Sequence, residues 1–323
     1  MQRVCVVIPA YNDWESAARL VVDLDRVGRE HGLRYRIFLV DDASSLSAPE
    51  GWPEFEPTTF DSLAVVRLAC NLGHQRAIAV GLVIARDQID SCSGVVVMDG
   101  DGEDRPLDIP HLLAASASRA ESIVCARRAQ RSEPLVFRAG YKLYKILFGS
   151  LTGVQIDFGN FCLIPKSALR AVLTQAGIWN HLAATLTRSR VPLLKLDTIR
   201  GERYAGQSKM NLVSLVVHGL TAVAVYADVA LVRIVIFAMI LAVLAFVGII
   251  VTVAIRLATP YAIPGWASGV AGTLAVILFQ AVLIPVIGVF VVLSLRTTRT
   301  VVPLVDAKDY VESIRIVHTG SDS

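Results

Sequence analysis

The sequence predicts an α/β domain with a mostly parallel sheet, followed by two transmembrane helices. Three observations carry this. Short apolar runs alternate with helix-periodic segments over residues 1–100, the pattern of βαβ units. Acidic and polar residues recur just after the ends of those apolar runs. Two long apolar stretches with no interior charge fill the last third of the 323-residue chain. Apolar residues make up 54% of the sequence and the mean hydropathy is +0.55, above the range of an ordinary soluble enzyme.

Taken in order, Val4–Ile8 reads as a strand. It is too short for the apolar core of a signal peptide and runs straight into Pro9-Ala10-Tyr11-Asn12-Asp13. Trp14–Glu30 places Ala17, Ala18, Val21, Val22, Leu24 and Val27 at helical spacing. Tyr35–Val40 is the second strand and ends at Asp41-Asp42. Ser47–Asp61 holds three prolines and reads as an exposed loop. Ala64–Leu68 is the third strand, Gln75–Asp87 an alanine-rich helix, and Gly94–Met98 the fourth strand. Pro106 and Pro110 favour helix initiation over Ile109–Ser118. Val154–Pro165 reads as a strand with a tight turn at Gly159-Asn160. Leu212–Tyr226 is apolar with little charge and suits a helix lying in the membrane interface.

Leu231–Ile255 and Gly269–Leu295 are each about 25 residues, enough to span a bilayer with some tilt. Arg233 and Arg256 stand at the ends of the first run, where long side chains reach the headgroups. Basic residues flank the pair: Lys195, Arg200, Arg203 and Lys209 before it, Arg296, Arg299 and Lys308 after it, and none in the connecting 258–268. The positive-inside rule then puts both flanks in the cytoplasm. The expected organisation is a cytoplasmic α/β domain over 1–210, a juxtamembrane interfacial helix over 211–229, a two-helix transmembrane region over 230–296 and a cytoplasmic tail over 297–323. The net charge of +3 indicates no nucleic-acid partner. Five singly placed cysteines form no zinc pattern and suit a reducing compartment.

Right-handed crossovers bring the strand C-termini to one edge, so Asn12, Asp13, Asp41, Asp42, Asp99 and Asp101 assemble a single acidic rim. Its most specific piece is Asp99-Gly100-Asp101-Gly102-Glu103 after the run Val95–Met98. Paired carboxylates with intervening glycines suit a hard divalent cation that shares its oxygens with a bound diphosphate. Arg127, Arg128, Arg131 and Arg138 cluster beside Tyr141, Tyr144 and Phe148.

The segments Val7-Ile8-Pro9-Ala10-Tyr11-Asn12-Asp13, Val40-Asp41-Asp42-Ala43-Ser44, Asn71-Leu72-Gly73 and Val97-Met98-Asp99-Gly100-Asp101 resemble, in order and spacing, family-two glycosyltransferases with a GT-A (Rossmann-like) fold. Asp157-Phe158-Gly159-Asn160-Phe161 and Arg203-Tyr204-Ala205-Gly206-Gln207-Ser208-Lys209, with the two spans, make the chain similar to polyprenyl-phosphate glycosyltransferases of the dolichyl-phosphate mannose synthase and undecaprenyl-phosphate glucosyltransferase type.

The resemblance implies an inverting, metal-dependent transfer of a sugar from a UDP- or GDP-linked donor to a polyprenyl phosphate at the inner membrane. Pro9, Tyr11, Asp13, Val40 and Asp42 would hold the nucleoside. Asp99 and Gly100 would line the donor site. Asp99, Asp101 and Glu103 would hold Mg²⁺ or Mn²⁺. Arg127, Arg138, Arg203 and Lys209 would meet the donor diphosphate and the lipid phosphate, with Arg128 and Arg131 equally suited to anionic headgroups. Asp157 would act as a base or orient its neighbours. Asn71 and Gly73 would shape a loop near the nucleotide, and His74 reads as a phosphate contact or as a plain surface histidine. A homo-oligomer stays open. Gly102 and Glu103 depart from the family's common pattern at these positions. Two other readings are a processive polysaccharide synthase, which lacks support because no tryptophan follows an arginine, and a non-catalytic membrane-anchored nucleotide-sugar-binding protein.

Overall fold

The computed structural model describes residues 1–53, 55–119, 122–128, 145–205, 212–258, 265–297 and 299–320. The chain divides into two units. The first comprises 1–138, 156–225 and 301–323; the second comprises 139–155 and 226–300.

The first unit is the expected α/β domain. Its strands are β1 (Gln2–Ala10), β2 (Leu33–Asp41), β3 (Phe60–Leu68), β4 (Gly94–Val97), β5 (Ile123–Arg128), β6 (Cys162–Pro165), β7 (Leu193–Thr198) and β8 (Val311–Thr319). They form one sheet in the order β7-β5-β6-β4-β1-β2-β3-β8. β1 pairs in parallel with β2 and β4, and β2 with β3. β6 is antiparallel to β4 and β5, and β8 is antiparallel to β3.

The core follows from side-chain alternation. Val4, Val6 and Ile8 of β1 enter one apolar cluster, while Cys5 and Val7 enter the other. Helices α1 (Trp14–His31) and α3 (Ile109–Ser118) contribute to the first cluster. Helices α2 (His74–Asp87), α4 (Lys166–Leu173) and α5 (Leu182–Arg188) contribute to the second. A parallel sheet covered on both faces needs continuous apolar strands, and β1 and β2 supply them. α1 ends on Gly32, whose φ of 64° closes the helix in the left-handed region. Four of the five cysteines are buried, as small apolar core residues.

Four strands depart from the reading of the sequence. The 154–165 segment yields a strand only over Cys162–Pro165; residues 154–161 are irregular, with a bend at Asn160. β5 and β7 are too short and too mixed in polarity to stand out. The 297–323 tail is not a simple tail. Its Val311–Thr319 pairs with Ser62–Leu68 of β3, and Tyr310 packs its ring 5.0 Å from that of Trp179. The chain thus leaves the α/β unit at 225 and re-enters it at 301 to finish the sheet.

A helix α6 (Leu212–Val225) closes the first unit's middle segment. Its His218 stacks on His181 with ring centroids 4.4 Å apart, and Arg188 donates to the Val225 carbonyl. Burial and the neighbouring His218 push His181 down to about 3, so it is an uncharged packing partner at neutral pH.

The second unit is dominated by α7 (Ala227–Ala258) and α8 (Trp266–Thr297), both long and apolar enough to cross a membrane. They enclose the expected spans at 231–255 and 269–295. Large apolar side chains point outward, Phe237 at 62% exposure and Phe290 at 72%. The residues that α7 does bury are small: Ala230, Ala238, Ala245 and Thr252. Small residues at such a seam let two helix backbones approach closely, as lipid-embedded pairs require.

Because β8 completes the sheet, ending the chain after Thr300 strips β3 of its neighbour and Trp179 of its aromatic partner. The expected result is a melting temperature lower by about 5 °C or more in detergent, measured against the full chain. An unchanged melting curve would show that the strand is dispensable.

Candidate donor and cation site

The site lies where β1, β2 and β4 end. Asn12 and Ala43 both take positive φ, 51° and 53°, as the chain turns sharply off β1 and β2. Asn12 ties the two turns together: its backbone N–H donates to Ser44 Oγ at 2.8 Å, and its Oδ1 accepts from the Leu46 N–H at 2.9 Å. Asp41 is 2% exposed and accepts from the Ser44 N–H at 2.9 Å and from Arg67 at 3.0 Å. Arg67 also reaches Glu312 of β8 at 2.9 Å, so the last strand buttresses this rim.

Asp42 accepts from the backbone N–H groups of Leu72 and Gly73, at 2.7 and 2.9 Å. Burial, with the adjacent Asp41, holds its carboxyl above the ordinary carboxylate value against those two bonds. It therefore fixes the 71–73 turn, where Gly73 has φ 88°. Tyr11 is 44% exposed and presents an open ring at the rim, whereas the Val40 side chain is fully buried in the core. Pro9 is buried and Asp13 half-buried at the start of α1.

The carboxylate stretch is shaped by its glycines and by a second loop. The backbone N–H of Tyr204 donates to the Asp101 carbonyl, and that of Gly201 to the Glu103 carbonyl, both at 2.9 Å. Gly102 has φ 90°, and a Cβ there would lie 2.6 Å from the Tyr204 ring. A Cβ on Gly201 would collide with the Gly102 carbonyl oxygen. Only glycine permits this approach. Tyr204 is anchored in turn on α1, donating to Asp23 at 2.5 Å, and Arg19 donates to its carbonyl.

Through this contact Arg203 bridges two carboxylates, 2.7 Å from Asp101 and 2.9 Å from Glu103. Arg200 holds the second Glu103 oxygen. Burial alone would raise the Glu103 carboxyl, yet the two guanidinium groups bring it below its ordinary value. Asp101 goes the other way: burial raises it, and Asp99 and Glu103 add repulsion that its backbone bond and Arg203 do not cancel. Asp99 lies 3.2 Å from His74. Burial tends to lower the His74 pKa, but Asp99, Asp104 and Asp101 outweigh it and the value is raised. His74 therefore stands at the carboxylates.

Crowded carboxylates that draw in every nearby cation are a donor set suited to a hard divalent ion, and Asp99 and Asp101 fit that role. Glu103 does not present itself as their third ligand. Both of its oxygens are engaged by arginines, and among the described residues no three His, Cys, Asp or Glu side chains enclose a metal position.

A second charged group sits at the ends of β5 and β7. Arg127 pairs with Asp197 at 2.6 Å and with Asp157 at 3.6 Å. Lys195 pairs with Asp157 at 2.6 Å. Burial opposes ionisation of Asp157, but Lys195 and Arg127 hold it below the ordinary carboxylate value, which makes it a poor proton acceptor. The sequence marks Lys195 and Arg200 only as part of the basic flank and Asp197 not at all, since Lys195 and Asp197 are ordinary charges on a short edge strand and Arg200 lies in the loop after it. Arg131, Arg138, Tyr141, Tyr144, Gly206 and Lys209 lie outside the described residues, as does the side chain of Arg128.

Glu103→Gln removes the charge that docks the 199–204 loop. Tryptic cleavage after Arg200 and Arg203 should then quicken roughly tenfold, as local opening becomes easier. In the unsubstituted chain the pKa is depressed, so the docking energy is complete above the ordinary value of 4.5 and fades as the pH falls below it. Equal cleavage of both proteins at pH 7 would contradict this.

Comparison with known proteins places this geometry in context. The sequence profile of glycosyl transferase family 2 matches residues 5–173. The undecaprenyl-phosphate 4-deoxy-4-formamido-L-arabinose transferase of Photorhabdus laumondii is 26% identical over 225 residues, 67% of this chain and 65% of that protein. The enzyme of the same name from Edwardsiella ictaluri is 27% identical over 289 residues, covering 86% and 84%. The chain thus spans just under two thirds of the length of the first relatives it matches. Among solved structures, mannosyl-3-phosphoglycerate synthase from Rubrobacter xylanophilus superposes with a TM-score of 0.48 at 13% identity, covering 70% of this chain and 73% of that one.

Proposed function

The chain belongs to glycosyl transferase family 2, and on that premise we propose that it moves a sugar from a nucleotide-sugar to a membrane polyprenyl phosphate. One observation supports this above the others. The acidic rim of β4 and a set of cations from the β7 side meet in one place, with Arg203 spanning Asp101 and Glu103. Carboxylates and arginines side by side suit two anionic groups, a departing diphosphate and an incoming phosphate. The named relatives act on undecaprenyl phosphate, and the apolar helices α7 and α8 suit a chain that meets its acceptor in a bilayer.

In this reading Tyr11 stacks on the donor base, with Pro9 and Asp13 beside it. Asp42 contributes a spare lone pair to the base while it holds the 72–73 turn. Val40 acts through its backbone. Asp99 and Asp101 hold Mg²⁺ or Mn²⁺; when bound, the ion is a Lewis acid for the charge on the leaving nucleoside diphosphate. Arg203 serves the diphosphate and Arg127 the acceptor; Lys209 and Arg138, outside the described residues, are assigned to the diphosphate and the acceptor in turn.

The acceptor phosphate is already anionic at neutral pH. Its oxygen attacks the anomeric carbon as the bond to the diphosphate breaks, and an in-line course inverts that carbon. No proton need be removed, which agrees with the lowered pKa of Asp157. That residue orients Lys195 and Arg127 toward the phosphate. The unit is read as cytoplasmic, which the basic flanks and the uncharged connecting loop support. An even number of crossings returns β8 to that side.

The test is incorporation of labelled sugar into butanol-extractable lipid, with undecaprenyl phosphate and a panel of UDP- and GDP-sugars. One donor should give product, chelation with EDTA should stop it, and Asp101→Asn should lower kcat/KM by about a hundredfold or more. Full activity of Asp101→Asn would remove the metal assignment. No lipid product from any donor would remove the transferase reading.

A further inference from the structure

The four buried cysteines of the α/β unit fall into two facing pairs. Cys125 of β5 stands opposite Cys162 of β6 in the strand register, and both are fully buried. Cys5 is also fully buried, in β1 between Arg36 of β2 and Val95 of β4. Its partner lies outside the sheet. Cys92 sits on the turn that joins α2 to β4 and keeps 6% of its surface open. The two sulfurs are 3.2 Å apart, with the Cys5 thiol donating to Cys92. A disulfide bond is about 2.05 Å long, so the sulfurs need to close by only about 1 Å.

The turn is held firmly in this place. The Cys92 N–H donates to the Ile89 carbonyl at 2.8 Å, and the Ser93 N–H to the Arg3 carbonyl at 2.9 Å. Arg36 donates to the Gln88 carbonyl. Asp90, paired with Lys166 at 3.2 Å, is 98% exposed. Solvent therefore reaches the turn that carries one sulfur, while the other is closed inside the sheet.

The surroundings also divide the two roles. The hydrogen bond from Cys5 lowers the Cys92 pKa and burial opposes it; Arg36 and the Ser91 hydroxyl bring it down further, to about 7, against the charge of Asp61. Asp61 is itself paired with Arg3 and Arg34. Cys5 shifts upward, through the same hydrogen bond and burial. Cys92 is thus the nucleophile of the pair, and the Cys5 thiol waits beside it.

We propose that Cys92 and Cys5 form a reversible oxidation site that a peroxide closes to a disulfide. The Cys92 thiolate attacks a peroxide oxygen: an S–O bond forms, the O–O bond breaks and hydroxide leaves. Cys5 then attacks the sulfur of the Cys92 sulfenic acid. The S–S bond forms, the S–O bond breaks, and the oxygen departs as water with the Cys5 proton. The peroxide is the two-electron acceptor, and a dithiol reductant reverses the bond. A thiolate at an accessible turn beside a resolving thiol is the arrangement that such chemistry needs. The inference is independent of the transferase reading, since its readout is the state of the thiols and not activity.

The test treats the full chain in detergent micelles with dilute hydrogen peroxide, then unfolds it, alkylates the remaining thiols and identifies the tryptic peptides by mass. The expected product is a Cys5–Cys92 crosslink that dithiothreitol removes, with Cys125 and Cys162 recovered as alkylated thiols. Its rate of formation should rise with pH to a midpoint near 7, below the value of about 8.5 for a free thiol. In Cys5→Ala the Cys92 sulfenic acid should persist and be trapped by dimedone. In Cys92→Ala the Cys5 thiol should survive the same treatment. Recovery of Cys5 and Cys92 as free thiols, at a dose that oxidises the exposed Cys70, would overturn the proposal. Equal oxidation of Cys125 and Cys162 would also overturn it, because it would mark unfolding in place of a built site.

Discussion

The structure turns on one electrostatic arrangement, the bridging of Asp101 and Glu103 by Arg203. Three carboxylates within five residues at the end of a buried strand repel one another, and burial sharpens that repulsion. Arginines relieve it only if a second loop comes close enough. Gly102 and Gly201 allow that approach, and Tyr204 pins the loop to α1 through Asp23. Binding chemistry and local fold are therefore the same problem here. The departures from the family pattern at positions 102 and 103 are answered together: the glycine admits Tyr204, and the glutamate receives the arginines.

That arrangement separates two roles that look alike in the sequence. Asp99 and Asp101 remain under negative strain and suit a cation. Glu103 is neutralised and serves the fold. A similar division holds at the other end of the site. Asp157, flanked by Lys195 and Arg127, is held ionised and suits the steering of cations better than the removal of a proton.

Much of this was legible before any coordinates. Apolar periodicity gave β1, β2, β3, β4, α1, α2 and the two long helices, because long or strongly patterned segments depend mainly on local sequence. The rim residues Asp42, Asp99 and Asp101 followed from strand ends alone. What escaped were features set by distant partners. β7 alternates weakly and owes its place to pairing with β5. β8 reads as a polar tail after a membrane segment, yet completes the sheet and braces Asp41 through Glu312 and Arg67.

The most direct test of the account is the position of a bound ion. Crystals of the full chain soaked in Mn²⁺ and measured near the manganese edge should show an anomalous peak within coordination distance of both Asp99 and Asp101, with Arg203 withdrawn from Asp101 and still on Glu103. A peak on Glu103, or elsewhere with the Arg203–Asp101 pair intact, would contradict it.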